Sequence, residues 1–261
     1  MVLRMKRVRR PTRRLTIGLT VFGIVLLIAA AWAGGFLLHD SSQAASISQA
    51  LRSFRATEHG AGGLDGVYLY ATKGSESVDA LEGASHTYPA KTSITVTDVP
   101  CGLQLRWAAL EKRSTTWTFC STTAGTELRS SDERHAFFGL SDHTVYLCSG
   151  RLLLPKDPVI GSAKSFTCRS SRNTEVGTAR VLGRDTIEIG GDRVAAIHVS
   201  TDLSITSGDS GTETIDWWLD SANALPLRIE LQSRTSRKMW VGRVHYSENF
   251  SLSLLSLTPL R

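Results

Sequence analysis

Hydrophobic positions along the chain fall into three regimes. Leu15 to Leu38 (LTIGLTVFGIVLLIAAAWAGGFLL) is 24 residues without a charge. At about 1.5 Å rise per residue such a run makes roughly 36 Å of helix, enough to cross a hydrocarbon core of about 30 Å. Between Gln43 and Ala56 the apolar residues Ile47, Leu51 and Phe54 recur at helical spacing, which predicts a short amphipathic helix. The segment from His59 to Gly63 (HGAGG) breaks that helix. From residue 66 the period drops to two, and about eleven short strands follow, for example Gly66–Thr72, Ser93–Thr97, Cys101–Trp107 and Thr115–Phe119. Ser75 to Leu81 reads as one helical turn between the first two.

The strand pattern is sharpest in the second half. Two alternating runs, Asp185–Ile189 and Arg193–Val199, flank Gly190-Gly191, a tight hairpin signal. Ile215, Trp217 and Leu219 share one parity, as do Leu225, Leu227, Ile229 and Leu231. These seven are expected to form one buried face, with Asp216, Arg228 and Glu230 opposite. The expected fold is therefore mainly β (α+β). It comprises an N-terminal transmembrane helix and an antiparallel β-rich half-barrel or sandwich-like ectodomain with two disulfides. The domain reading is a basic tail over 1–14, the span over 15–38, a helical connector over 39–65 and the β-rich domain over 66–261. Pro155 and Pro158 mark a joint between candidate halves 66–170 and 175–261.

Charge refines the address. The formal net charge is +6, but seven of the 30 Lys and Arg lie in the first fourteen residues, leaving 23 against 24 Asp and Glu. A body so balanced lacks the field that phosphate binding needs, so no nucleic-acid partner is expected. The basic block precedes the apolar run, which by the positive-inside rule predicts a cytosolic N-terminus and a C-terminal domain outside, on a single-pass cell-membrane protein. A cleaved signal peptide ending at Ala31-Trp32-Ala33 is the rival, but signal cores usually run only about 7–15 residues. Cys101, Cys120, Cys148 and Cys168, all in the outer part, fit an oxidising compartment. Three pairings are open to them; 101–120 with 148–168 is favoured because each bridge then closes one hairpin-like excursion.

The stretch Gly183–Leu231 resembles the half-barrels of lipoprotein carriers and sigma-factor regulators. The resemblance rests on Trp217, Leu219, Asp220, Leu225, Pro226, Leu227 and Arg228. It implies a sheet wrapped around an apolar face. Separately, Gly66–Cys120 (GVYLYATKG, then the run to YP, then CGLQLRW) is similar to single-pass actinobacterial proteins of unassigned function, and the use of 23 Arg against 7 Lys fits that source.

Candidate chemistry is thin. Gly208-Asp209-Ser210-Gly211 matches the surroundings of a chymotrypsin-like serine, yet no base-and-carboxylate context accompanies it, and Ser210 is assigned to a loop. His135 and His143, with Asp132, Glu133 and Asp142, read as polar loop positions rather than a metal cluster. No catalytic set, metal or cofactor is expected. Trp217 and Trp218 must face opposite sides of their strand, so one of them is available to a ligand. Trp218, Arg228 and His86 are the candidate ligand-binding residues, His86 either lining a recognition surface or sitting in a turn. Two functions follow: a membrane-anchored binding module for an apolar or lipid-like envelope ligand, or a regulatory ectodomain that contacts an envelope protein. A deep groove favours the first and a filled core the second.

Overall fold

The computed structural model describes residues 40–57, 63–80, 83–239 and 242–261. The basic tail and the apolar run over 15–38 lie outside the described residues. No helix among those described is long and apolar enough to cross a membrane.

The connector forms helix α1 (Ile47–Arg55), whose N-cap Ser46 accepts a hydrogen bond from the Gln49 amide. Its predicted stripe points inward: Phe54 is buried, and Ile47 and Leu51 are half-buried. Thirteen strands follow: β1 (Gly66–Val78), β2 (Ala84–Thr87), β3 (Lys91–Val99), β4 (Gly102–Leu110), β5 (Arg113–Thr122), β6 (Gly125–Phe137) and β7 (Leu140–Pro155), then β8 (Ala163–Arg169), β9 (Asn173–Ile189), β10 (Asp192–Ser207), β11 (Asp209–Asp220), β12 (Pro226–Met239) and β13 (Gly242–Leu254). All pairings are antiparallel, and from β3 onward each strand bonds to the next in sequence. Gly190 and Gly191, both at positive φ, make the two-residue turn between β9 and β10, as the sequence predicts. The segment read as a helical turn, Ser75–Leu81, instead continues β1 as far as Val78, paired with β2 and β13.

β1 decides the architecture. Its first part, Gly66–Ala71, pairs with β3, while Tyr70–Val78 pairs with β13. The sheet therefore closes on itself, with β2 lying beside β1, and the expected half-barrel or sandwich is corrected to a closed barrel. Closure removes the exposed edges that a half-barrel would leave. At Gly74 a Cβ would stand 2.1 Å from the Asn249 carbonyl oxygen, so only glycine permits this close approach at the seam.

The disulfides are Cys101–Cys120 and Cys148–Cys168, the favoured pairing, and no cysteine is free. The barrel interior is graded along its axis. On β12 the inward side chains Leu227, Ile229 and Leu231 give way to Ser233, Thr235 and Arg237. On β13, Leu252 and Phe250 give way to Glu248 and Tyr246. One half is an apolar core around Trp217, which packs edge-on to Trp117 and Phe119 with centroids 5.3 and 5.6 Å apart. The other half is polar.

Candidate functional site

The polar half encloses a cavity of about 370 Å³, within the size range of small-molecule sites. Trp117, Ile215 and Leu231 form its floor, where the apolar core ends. It extends to the turns β6–β7, β8–β9 and β12–β13, where Phe138, Leu140, Arg172 and Met239 stand at its mouth. The connector enters at the same end: Asp40 pairs with Lys112 in the β4–β5 turn, and the Glu111 amide donates to the Gln43 carbonyl.

Four polar groups of contacts build the walls. Arg113 donates from Nε and Nη2 to the two oxygens of Glu248 at 2.9 and 3.0 Å, a bidentate pair with both side chains buried. Tyr88 also donates to Glu248. Burial pushes the Tyr246 hydroxyl well above its ordinary range, and the Glu248 and Glu76 charges push it the same way. That hydroxyl lies 3.0 Å from both carboxylates and 2.9 Å from His135 Nδ1. With one proton it donates to only one carboxylate at a time.

The second group centres on Glu76. Burial raises its pKa, but hydrogen bonds from His135 and His86 outweigh that and hold it at about 2. His86 is itself buried, stacked on Phe137 with centroids 4.5 Å apart. Its Nδ1 lies 3.0 Å from Glu76 Oε1. Its Nε2 faces Asp40 Oδ2 at 3.0 Å, off the line of a straight hydrogen bond. A chain of contacts thus runs from the connector through Asp40, His86, Glu76 and His135 to the cavity wall.

The third group is short of cations. Arg151 Nη1 lies 3.9 Å from Glu175 Oε2, and its Nη2 donates to Thr201 at 3.2 Å. Burial, reinforced by Glu133 and only partly offset by Arg151, raises Glu175 to about 8. Glu213 keeps part of its surface open to the cavity while protein encloses it. Burial and the charges of Glu133 and Glu175 push it well above the carboxylate range. The fourth group, at the mouth, is balanced. Arg237 holds Asp209 through two hydrogen bonds of 2.5 and 2.6 Å, Arg237 and Arg172 share Asp142, and Asn173 donates to Asp209 at 2.8 Å.

Opposed shifts set a pH optimum of stability. Glu76, depressed in the folded state, contributes above its unfolded value near 4.3, and that contribution is lost as pH falls toward 2. Glu175, raised, keeps a proton that the unfolded chain releases, so its contribution is lost as pH rises from about 4.3 through 8. Thermal unfolding of the full chain in detergent should therefore peak in mildly acidic buffer, roughly pH 5. Glu175→Gln should flatten the alkaline limb; an unchanged limb would refute the assignment.

Of the three sequence-derived candidates the structure brings two together, and not at the cavity. Trp218 and Arg228 meet on the outer wall, away from the cavity: the guanidinium lies 4.7 Å over the indole ring. Trp218 also stacks on His198 with centroids 4.0 Å apart and donates from Nε1 to Asp185 at 2.7 Å. His86 is interior, neither in a turn nor on a surface. Glu133, His135, Asp142 and His143, read as loop positions, lie on β6 and β7, and Glu133 and His135 face the cavity. Ser210 sits on β11 just past a turn, bonded to Ser236 at 3.0 Å. The signal that reveals the cavity is parity carried past the apolar residues: Glu213 continues Ile215 and Trp217, while Ser233 and Thr235 continue Leu231.

No family model matches the chain, and no curated protein matches it either. Among solved structures the chain is similar to the crystal structure of the hypothetical lipoprotein YmcC from Escherichia coli (K12). The identity is 13% over 81% of this chain and 98% of that one, with a TM-score of 0.33. The closed ring rests on its own hydrogen bonding, independent of that likeness.

Proposed function

We propose that the chain is a membrane-tethered, extracytoplasmic binding module whose barrel cavity takes a small amphipathic ligand. The observation that carries this reading is the cavity itself: an enclosed space with an apolar floor, polar walls and a mouth at one end of the barrel. A filled core would have favoured the regulatory ectodomain. Two disulfides support an oxidising compartment. The 24-residue apolar run over 15–38 supports a membrane tether. The mixed lining narrows the expected apolar ligand to one with a polar head.

Native mass spectrometry of the full chain released from detergent tests this. The wild type should carry a noncovalent small-molecule adduct, and Ser233→Phe, which fills the cavity from β12, should lose it. No adduct on the wild type, or one that survives the filling substitution, would sink the reading.

A further inference from the structure

The cavity wall carries more carboxylates than its cations can pair. Glu248 is taken bidentately by Arg113, Asp209 by Arg237, and Asp142 by Arg172 and Arg237. Three glutamates remain, Glu133 on β6, Glu175 on β9 and Glu213 on β11, and they face a single guanidinium, that of Arg151 on β7. Arg151 does not neutralise them: it stands 3.9 Å from Glu175 and spends Nη2 on Thr201. Glu133 accepts a hydrogen bond from Ser131 at 2.8 Å, whereas Glu213 accepts none among the described residues. Arg151 is 2% exposed and lines the cavity, yet its Nε donates to nothing among the described residues.

Resting on the binding-module reading, we propose that the ligand is an amine: its ammonium group seats among Glu133, Glu175 and Glu213, and its apolar body lies on Trp117, Ile215 and Leu231. In the empty cavity, protons on Glu175 and Glu213 remove the excess negative charge. The entering ammonium replaces one of them. The carboxyl releases its proton to solvent and pairs with the cation, so charge in the cavity is conserved. Affinity must then rise with pH for as long as that carboxyl is protonated in the empty protein. Among the neighbouring groups, His135 is already engaged by Glu76 and the Tyr246 hydroxyl. Tyr146 stays neutral because burial pushes its hydroxyl far up, and the Arg113–Glu248 pair is already satisfied.

The test uses the full chain in nanodiscs of zwitterionic lipid, with empty discs as background. It compares hexylamine, hexanol and hexanoate by calorimetry between about pH 6 and pH 8.5. Hexylamine should bind best, with an affinity that rises by up to about tenfold per pH unit, while hexanol binds more weakly and without pH dependence. Glu213→Gln, which resembles the protonated side chain and so spares the fold, should cut hexylamine affinity at least about tenfold and flatten its pH slope, with hexanol unchanged. Hexanoate binding as well as hexylamine, or a flat pH profile for the amine, would overturn the amine assignment while leaving the cavity a binding site. Failure of all three probes would overturn both.

Discussion

Trp217→Ala should cost the domain about 3–5 kcal/mol, the range for emptying a large aromatic site in a close-packed core. Trp217 is fully buried and stands edge-on to Trp117 and Phe119. Its loss removes contacts from two neighbours at once and opens the cavity floor toward the core. Its Nε1 has no hydrogen-bond partner among the described residues. Trp217→Phe therefore sheds a buried donor along with volume, and should cost clearly less than the alanine change. Trp218→Ala is the matched control one residue on. Trp218 gives up a hydrogen bond to Asp185, a stack on His198 and a cation–π contact with Arg228, all on the outer wall, so about 1 kcal/mol is expected. Urea unfolding of the full chain and the three variants decides. Equal losses from the two alanine changes would mean that the inward and outward faces of β11 are wrongly assigned.

That assignment was legible because a strand's period is two and the residues at stake are extreme in polarity. Ile215, Trp217 and Leu219 are inward and buried, with Asp216 and Arg228 outward, as parity requires. The Gly190-Gly191 hairpin and the two disulfides were legible for a similar reason: each is a local constraint, closing a short excursion of chain. Closure of the barrel was not. It depends on β1 meeting β13, a pairing between the first and last strands that no local pattern encodes. The site was hidden by the rule that found the core. Hydrophobic alternation registers a strand only where one face is apolar, so β6, with Glu133 and His135 turned inward, reads as a polar loop. His86 was singled out but its burial was not legible, because one of its two partners, Asp40, comes from the connector, far from it in sequence. A polar interior shows itself only when inward parity is carried along several strands and the charged residues are seen to converge at one level.

The charged wall sets the second large effect. Glu248→Ala should destabilise the domain by about 3–5 kcal/mol, although it removes a charge that costs desolvation to bury. The reason is what it leaves behind. Arg113 is buried, and the attraction of Glu248 raises it well above its ordinary range against the opposing effect of burial. Without the carboxylate its guanidinium keeps only Thr115 as a hydrogen-bond acceptor among the described residues, and Tyr88 and Tyr246 lose an acceptor as well. Glu248→Gln retains an oxygen for one donor but no charge, and should fall between alanine and wild type. Replacing both members together, Arg113→Met with Glu248→Leu, removes the stranded charge and should recover most of the loss. Guanidinium melts of the three variants give the ranking. If Glu248→Ala costs less than about 1 kcal/mol, Arg113 is being neutralised by another carboxylate of the wall. The excess of unpaired acid that makes the cavity a site for a cation would then be smaller by one.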